Sequence, residues 1–468
     1  MRCATPALKS DTEVCAIQST AMKKYIELMF YVSFGAGMAF GTSSFTMMSG
    51  LFEITTTMWV VIAICLSGFL CILISSSVAE LASMYPSSPG IRTYLKVAFD
   101  NRVSLLLVYL YLIFMVLVAG VESYMFALVA KAIFPNVSAV LVVLGLLAFT
   151  ITVNMLGLEL PRGLQIITTF ALILGILVLG IFGVIHSPGG TARLMQESGD
   201  NLQQLKLLPA AIIMAVFLFT GFEWVTLLGF SPKSYERRIP ISMPLAILTN
   251  MFAYTIFVVG MSFQIPRSEI IKTTVPQVPY FVHMLGSSGV YFAWAFSLLA
   301  VFSTFNAGIM GGSRLIYVLT REGNLPKWCA KMSLRTGAPI GGIIVLGSLA
   351  TISSLLVLTY HVEILAAVIG STIVSFVYAA FMWAVIRLRK SNAAAKRSFR
   401  TPVPAWLQWL IIVIMPLMGI LTLFSQVGSM YVPVAGLLIF TVLATILARW
   451  SWKRTANQAL RRQARENV

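Results

Sequence analysis

The sequence predicts an all-α membrane protein with twelve transmembrane helices, arranged as a five-plus-five inverted repeat followed by two C-terminal helices. Three features predict this class: the apolar composition, the distribution of basic residues, and two glycine-interrupted spans. Of the 468 residues, 58% are hydrophobic and 10% charged, and the mean hydropathy of +0.89 exceeds that of soluble globular domains. Apolar runs of about twenty residues, enough to cross about 30 Å of hydrocarbon, recur along nearly the whole chain. We therefore expect one helical membrane domain and no soluble domain.

The basic residues indicate the topology. The net charge of +17 could suggest nucleic acid, but most of the 33 lysines and arginines lie in alternate loops rather than in one patch. The opposite loops carry only Lys131, Arg193, Lys206, Arg267 and Lys272. The positive-inside rule then predicts an even number of spans, both termini in the cytoplasm, and a location in the plasma membrane, which in a bacterium is the inner membrane. The bilayer is the expected partner and nucleic acid is not, while binding of anionic lipid by the basic tails would be secondary.

Turn and charge signals divide the apolar runs into individual spans. The predicted spans are 25–51, 56–84, 103–131, 137–156, 164–186, 206–230, 240–263, 286–319, 340–359, 361–386, 404–425 and 430–450. The tail 1–24 is polar and lacks the apolar core of a signal peptide, so the first span should remain in the mature protein. The first repeat would cover 25–186 and the second 206–386, with an appended pair of spans at 404–450 and a basic cytoplasmic tail at 451–468.

The stretch 33–41 in the first span contains Gly35, Gly37 and Gly41. Each glycine lowers helix propensity by about 1 kcal/mol relative to alanine. The stretch therefore serves either close helix packing, since Gly37 and Gly41 fit a Gly-x-x-x-Gly motif, or a helix break that exposes backbone groups to a solute. If these glycines free N–H groups for a ligand, Gly37→Leu should abolish binding and leave the protein folded. If they serve packing, the same change should cause loss of folded protein.

A second interruption lies in the sixth span, where Thr220 and Gly221 precede Glu223. Span one would run outward and span six inward, five spans apart. Two glycine-interrupted helices in corresponding positions of oppositely oriented halves indicate an inverted-repeat transporter with its site near the middle of the membrane.

Several further motifs occur in the same order as in a known superfamily. They are Gly35-Ala-Gly37, Ala79-Glu-Leu-Ala-Ser-Met-Tyr-Pro86, Thr220-Gly-Phe-Glu223, Glu236-Arg-Arg-Ile-Pro240, Ser303-Thr-Phe-Asn306 and Arg321-Glu-Gly-Asn-Leu-Pro326. From about residue 25 to 450 the chain resembles the amino acid-polyamine-organocation transporters, which have the LeuT-type five-plus-five inverted repeat. The resemblance implies a secondary transporter of amino acids or related amines that works by alternating access, without a cofactor or a bound metal.

The resemblance also implies roles for individual residues. Backbone N–H groups of the broken first helix would bind the substrate carboxylate, and the sixth helix would supply carbonyls to the substrate ammonium and an aromatic lid. Tyr111 would help to close the site from span three, and Glu223 would act in gating and in the response to protons. The implied substrate-binding residues in the two broken helices are Ser33, Gly35, Ala36, Gly37, Phe217, Phe219, Thr220 and Gly221.

Two departures from the family pattern concern coupling and subgroup. Many proton-coupled members have a lysine in the fifth helix, but the predicted fifth span contains none. This favours exchange, or coupling through a carboxylate. The lid position that is tryptophan in some exchangers of cationic substrates is Phe217 here, which argues against that subgroup.

Other polar residues inside the predicted spans are candidates for a functional role. Placing a charged side chain at mid-bilayer costs about 3 kcal/mol or more, so such residues are rare without a function. Glu122 could neutralise a cationic substrate or bind a proton, or it could pair with Lys131 at the outer rim. Glu80 would be an anchor partnered with a loop arginine. Ser303 and Asn306 could line the site or hold Na⁺ with carbonyls of span one. Alternatively, the serine and threonine hydroxyls of this stretch could form hydrogen bonds with carbonyls of their own helix.

Other function classes find less support in the sequence. An enzyme would need a nucleophile-base or metal motif, and neither HExxH nor GxSxG occurs, nor does any predicted span contain aspartate. A channel would require rings of charge or carbonyls, which one asymmetric chain does not suggest. We expect a permease or exchanger for neutral or mildly polar amino acids, with an amine, polyamine or cationic amino acid antiporter as the alternative and a non-transporting nutrient sensor as a more distant one. The specific substrate, the coupling ion and the oligomeric state stay open.

Overall fold

The computed structural model describes residues 25–86, 90–157, 159–187, 189–192, 201–228, 234–425 and 431–466. The predicted N-terminal tail 1–24 lies outside the described residues, as do Arg193 of the predicted outer loop and Lys233 of a predicted inner loop. Within the described ranges the secondary structure is helical, with turns and no β-strand.

The helices follow the predicted spans closely. In chain order they are α1 (25–39), α2 (Ser43–Ile54), α3 (Thr57–Met84), α4 (Gly90–Ala98), α5 (Asn101–Ile133), α6 (Ala139–Met155), α7 (Glu159–Ile185), α8 (Asn201–Val216), α9 (Ile239–Gln264), α10 (Arg267–Ile270), α11 (Gln277–Leu285), α12 (Gly289–Arg321), α13 (Ile340–Tyr360), α14 (Glu363–Ser391), α15 (Ala405–Ser425) and α16 (Tyr431–Glu466). Short 3₁₀ turns cover Phe217–Phe219, Phe222–Leu227, Gly286–Ser288 and Lys327–Ala330, and a π turn covers Ser234–Arg238.

Ten helical segments among the described residues are long and apolar enough to cross a membrane. The two other predicted spans differ from these ten for separate reasons. The first span is split into α1 and α2, and the fourth corresponds to the 17-residue apolar helix α6. The protein is thus an integral, multi-pass membrane protein, and the count of twelve spans stays a prediction.

The two interrupted spans lie in the centre of the helix bundle. Residues 30–45 are all buried, and so are residues 215–228 around the second interruption. The helices α3, α5, α7, α9, α12 and α14 surround them. This placement exposes the interrupted backbone to other helices rather than to lipid, which is where a bilayer tolerates it.

The end of the bundle that carries the basic connectors contains three ion-pair clusters. The buried Glu80 binds Arg389 at 2.6 Å and Arg397 at 3.3 Å, which confirms the predicted anchor. Glu322 binds Arg92 of α4 at 2.7 Å and Lys96 at 2.9 Å. In the third cluster, Glu27 pairs with Arg238.

Candidate substrate site and gate

The first helix break covers residues 40–42, between α1 and α2. The carbonyl oxygen of Ala39, released from helix pairing, accepts hydrogen bonds from the Tyr254 hydroxyl and from Ser44 Oγ, both at 2.9 Å. Thr42 Oγ1 donates to the carbonyl of Ser297 at 3.2 Å. Side chains of the bundle therefore satisfy the backbone that the break exposes, as a low-dielectric interior requires.

This position differs from the predicted one, because Ser33, Gly35, Ala36 and Gly37 all lie within α1. Carbonyls, and not N–H groups, make the inter-helix contacts of this stretch. The carbonyl of Ser33 accepts from Thr169 Oγ1 at 3.0 Å, that of Ala36 from Asn250 Nδ2 at 3.1 Å, and that of Gly37 from Ser303 Oγ at 3.1 Å. The glycines of α1 are closely packed, and the break begins only after Ala39. A methyl group at Gly37 would overlap Thr169 Oγ1 and Ser303 Oγ.

The second break lies at Thr220 and Gly221, as the sequence indicates. The backbone of Thr220 is extended. Gly221 has φ +114°, a backbone conformation that residues other than glycine rarely adopt. A Cβ at Gly221 would lie 2.6 Å from Cγ of Met38, one residue before Ala39. The second break therefore lies against the end of α1, next to the first break.

Glu223 follows the second break and is fully buried between two phenols. Tyr111 of α5 donates to Oε1 and Tyr378 of α14 donates to Oε2, both at 2.8 Å. Tyr378 also accepts from the Gly221 N–H at 3.4 Å. The structure brings together Tyr111 and Glu223, which the sequence analysis had assigned to gating separately. Tyr378 is a third member, which sequence reasoning missed. Its only sequence signal is a tyrosine in the middle of an apolar span.

Glu122 lies at the first break and not at the outer rim. Its carboxylate accepts from the backbone N–H of Ser43 at 3.2 Å and from Ser43 Oγ, at the N-terminus of α2. A methyl group at Gly41 would overlap this carboxylate. The alternative pairing with Lys131 is therefore wrong. Within the described ranges, no lysine or arginine forms an ion pair with either Glu122 or Glu223.

Ser303 and Asn306 belong to a polar cluster that joins α1, α6, α7 and α12. Gln165 Nε2 donates to Ser303 Oγ at 2.8 Å, and Gln165 Oε1 accepts from Asn306 Nδ2 at 2.9 Å. Asn306 also accepts from Asn154 at 3.0 Å. Gln165 and Asn154 were missed by sequence reasoning, although a buried amide in a predicted span is a recognisable signal.

Trp224, and not Phe217, lines the small cavity beside Met38. A cavity of about 30 Å³ is lined by Met38, Trp224 and Thr304 among mostly apolar residues. Phe217 and Thr220 instead face α14 and α15, and Phe219 packs near Tyr254 with ring centroids 6.1 Å apart. The cavity has room for about one water molecule, so it offers no space for an amino acid in this structure.

Curated proteins with related sequences are transporters. The chain is 23% identical over 349 residues to the human cystine/glutamate transporter, covering 72% of this chain and 68% of that protein. It is 23% identical over 428 residues to the gamma-aminobutyric acid permease of Escherichia coli K12, covering 85% and 89%. The low-affinity putrescine importer PlaP of the same organism is 26% identical over 296 residues, covering 59% and 63%.

Solved structures share the fold at low sequence identity. The chain is similar to a mutant of the manganese transporter of Eremococcus coleocola, with a TM-score of 0.54, 12% identity and coverage of 92% and 95%. It is equally similar to Mhp1, a nucleobase-cation-symport-1 family transporter in a closed conformation, with a TM-score of 0.54, 14% identity and coverage of 91% and 92%. The sequence profile of the family described as amino acid permease matches residues 32–461. The chain therefore belongs to the amino acid permease family of membrane transporters.

Proposed function

We propose that this protein is a secondary transporter that moves amino acids across the membrane by alternating access at the paired breaks of spans one and six. The observation that carries the proposal is the close approach of the second break, at Gly221, to Met38 near the end of α1, just before the first break, in the buried centre of the bundle. Interrupted helices present half-helix ends and backbone groups that no longer pair within a helix, which suit a zwitterionic solute where water is scarce. Substrate entry requires the two breaks to separate, because the present cavity of about 30 Å³ is too small for an amino acid.

The same two breaks support the five-plus-five inverted repeat. They fall in the first and sixth spans, which are corresponding positions of the proposed halves 25–186 and 206–386. In this arrangement α15 and the span portion of α16 form the appended pair. Rocking of one group of helices against the other would open the central site to each side in turn.

The backbone donor group nearest to the first break is the N-terminus of α2, with its partial positive charge. In this structure the Ser43 N–H donates its hydrogen bond to the Glu122 carboxylate. A substrate carboxylate that uses this helix end must displace Glu122, so we propose that Glu122 exchanges with the substrate carboxylate during the transport cycle. Glu223, held by Tyr111 and Tyr378, would act as the gate on the other side of the paired breaks.

The lining of the central cavity favours neutral or mildly polar amino acids, since Met38 and Trp224 offer apolar and aromatic surface. A second candidate is the transport of amines or cationic amino acids. Two buried carboxylates without a basic partner in the described part of the chain support this second candidate, because buried charges are normally paired. The relatives named above handle cystine and glutamate, gamma-aminobutyric acid, and putrescine, so kinship alone does not choose between the two.

Coupling is proposed to be exchange or proton movement through a carboxylate. α7 contains no lysine that could titrate. The neutral amide of Gln165 instead donates to Ser303 Oγ and, at 3.5 Å, to the carbonyl of Ser33. A role for Na⁺ is less favoured, because Gln165 and Thr169 already engage the oxygens of Ser33 and Ser303.

Counterflow in proteoliposomes tests the proposal. Vesicles are loaded with one unlabelled amino acid or amine at a time, and entry of labelled amino acid is followed at two pH values. We expect accumulation driven by neutral amino acids and little by putrescine or arginine. The reverse ranking would favour the second candidate, and binding without accumulation or counterflow would show a sensor instead of a transporter.

A further inference from the structure

We propose that the cleft between the beginning of α5 and the basic part of α16 binds the headgroup of an anionic phospholipid. The inference starts from the sequence of α16, whose apolar run ends near residue 448 and is followed by Arg449 and Lys453. These two residues are four positions apart and therefore lie on one face of the helix. They occur where the last span leaves the hydrocarbon, which is the depth of lipid phosphates.

The structure shows a cavity at this position. It measures about 470 Å³, and Arg102, Leu106, Arg449, Trp452 and Lys453 are among its lining residues. The guanidinium carbon of Arg102 lies 3.8 Å from the centroid of the Trp452 ring. Arg102 of α5 thus stacks on a residue of α16, and three cations from two helices share one cavity.

No acidic side chain in the described part of the chain pairs with the three positive charges of the cleft. None of its lining residues is acidic, and Arg102, Arg449 and Lys453 take part in no ion pair among the described residues. The acid nearest along the chain is Asp100, whose carboxylate caps α5 by accepting from the Val103 N–H at 3.0 Å. Phosphate oxygens would supply the missing acceptors, since arginine forms strong paired hydrogen bonds with phosphate.

The surroundings favour a lipid over free phosphate. Val103, Val442 and Ile446 lie next to the cleft on the same two helices and are 42%, 56% and 57% exposed. In a bilayer these apolar side chains face acyl chains, while the basic cleft faces the headgroups. Basic pockets between helices at the cytoplasmic side of membranes suit such headgroups.

A bound lipid would join α16 to the rest of the bundle. Beyond the cleft, Ser451 Oγ donates to the carbonyl of Asn324 at 3.0 Å, and Asn324 in turn donates to Glu322. A phosphate held by both α5 and α16 would stabilise this docking. The lipid should therefore raise the thermal stability of the whole protein.

The test uses the purified full-length protein in a non-ionic detergent. Phosphatidylglycerol, phosphatidylcholine or inorganic phosphate is added, and the unfolding midpoint and the retention of lipid in native mass spectrometry are measured. We expect stabilisation and retention with phosphatidylglycerol only. Removal of each cleft charge by Arg102→Gln, Arg449→Gln or Lys453→Gln should weaken apparent affinity by about fivefold, as expected for one basic residue at an anionic surface.

The matched control removes three exposed charges from the basic connector, residues 387–401 at the end of α14 and in the loop before α15. Its substitutions are Lys390→Gln, Lys396→Gln and Arg400→Gln. This triple variant should retain phosphatidylglycerol like the unchanged protein. Because Arg102→Gln alters a packed stacking contact, the double variant Arg449→Gln/Lys453→Gln serves where Arg102→Gln fails to fold. Equal effects of the two lipids, equal losses in cleft and connector variants, or full replacement of the lipid effect by inorganic phosphate would each overturn the proposal.

Discussion

Glu223 and its two phenols show how a single buried acid can be accommodated without a cation. Each carboxylate oxygen receives one hydrogen bond, from Tyr111 and from Tyr378, at 2.8 Å. The donors come from α5 and α14, so the carboxylate joins these two helices to the break at Gly221. If span six moves, either these two hydrogen bonds break or Tyr111 and Tyr378 move together with Glu223.

We predict that Glu223→Gln lowers the uptake rate about tenfold or more and flattens its dependence on pH. Hydrogen bonds to a charged group are worth about 1.5–3 kcal/mol, and the amide cannot titrate. Initial uptake rates in proteoliposomes at several pH values measure both effects. Tyr378→Phe removes one donor and keeps the acid, so it should lower the rate while preserving a pH response. An unchanged rate and pH profile in Glu223→Gln would remove this residue from the mechanism.

Gly37 and Gly35 have different surroundings although they are only two residues apart. A Cβ at Gly37 would overlap two hydroxyl groups and lie 2.6 Å from Gln165 Nε2. A Cβ at Gly35 would lie 3.2 Å from a methyl group of Val225 and 3.3 Å from Cβ of Ala246. The packing alternative for this stretch is therefore the better supported one at Gly37.

We predict that Gly37→Leu sharply reduces the amount of folded protein. Inserting extra carbon atoms into a packed interior typically costs about 1–3 kcal/mol, and occasionally more. Gly35→Ala is the matched comparison, and it should fold with a much smaller loss of thermal stability. Size-exclusion chromatography and unfolding midpoints in detergent provide the readout. Normal yield and stability of Gly37→Leu with loss of substrate binding would instead support the ligand role.

Among the elements, the interrupted sixth span depends most directly on local backbone conformation. Its α-helical part ends at Val216, and short 3₁₀ turns on both sides of Thr220 and Gly221 continue the chain. Gly221 has both the positive φ and the close approach to Met38, so two independent constraints select glycine. The break therefore depends both on the local backbone conformation and on the packing of α1 against it.

We predict that Gly221→Ala lowers the unfolding midpoint and impairs transport. A side chain in a sparsely populated backbone region costs about 1–3 kcal/mol, and the new methyl group would also contact Met38. Gly145→Ala in α6 is the control, because no atom lies within 4 Å of the added Cβ and alanine favours a helix. Gly221→Ala with the stability and uptake of the control would contradict this interpretation of the break.

At the scale of the whole molecule, ion pairs close the basic end of the bundle. Glu322 joins α4 to the end of α12, and Glu80 joins α3 to α14 and its following loop. Burial by itself raises the pKa of the Glu322 carboxyl, but Arg92 and Lys96 outweigh it and hold the pKa below its ordinary value of 4.5. A lowered folded-state pKa contributes stability above the unfolded value, and this contribution disappears as the pH falls through the folded value.

We predict that the unfolding midpoint of the protein falls as the pH is lowered below the ordinary carboxyl pKa of 4.5, and that Glu322→Gln makes this fall smaller. The variant should already be less stable at neutral pH, because it leaves the buried Arg92 without its carboxylate. Glu53→Gln, at an exposed acid without an ion pair among the described residues, should keep the acid dependence of the unchanged protein. Identical pH profiles for Glu322→Gln and the unchanged protein would exclude this contribution.

Much of the architecture was predictable because it depends on local properties. The lengths of the apolar runs set the bounds of the spans. The interruption at Thr220 and Gly221 was recognisable because these two residues lie in the middle of an apolar run. The first break was misplaced by a few residues, since a glycine can serve either packing or a break. Which role applies depends on what lies opposite, and for Gly37 that is α7 and α12.

The sequence by itself determined the fold class, the membrane location, and the presence of two special stretches in spans one and six. Hydropathy and backbone preference act over a few residues and need no knowledge of the rest of the chain. Only the tertiary structure decided which side chains meet, such as Tyr378 with Glu223 across 155 positions and Glu122 with the beginning of α2. These contacts depend on the rotation and tilt of whole helices, which are set by packing among many elements at once.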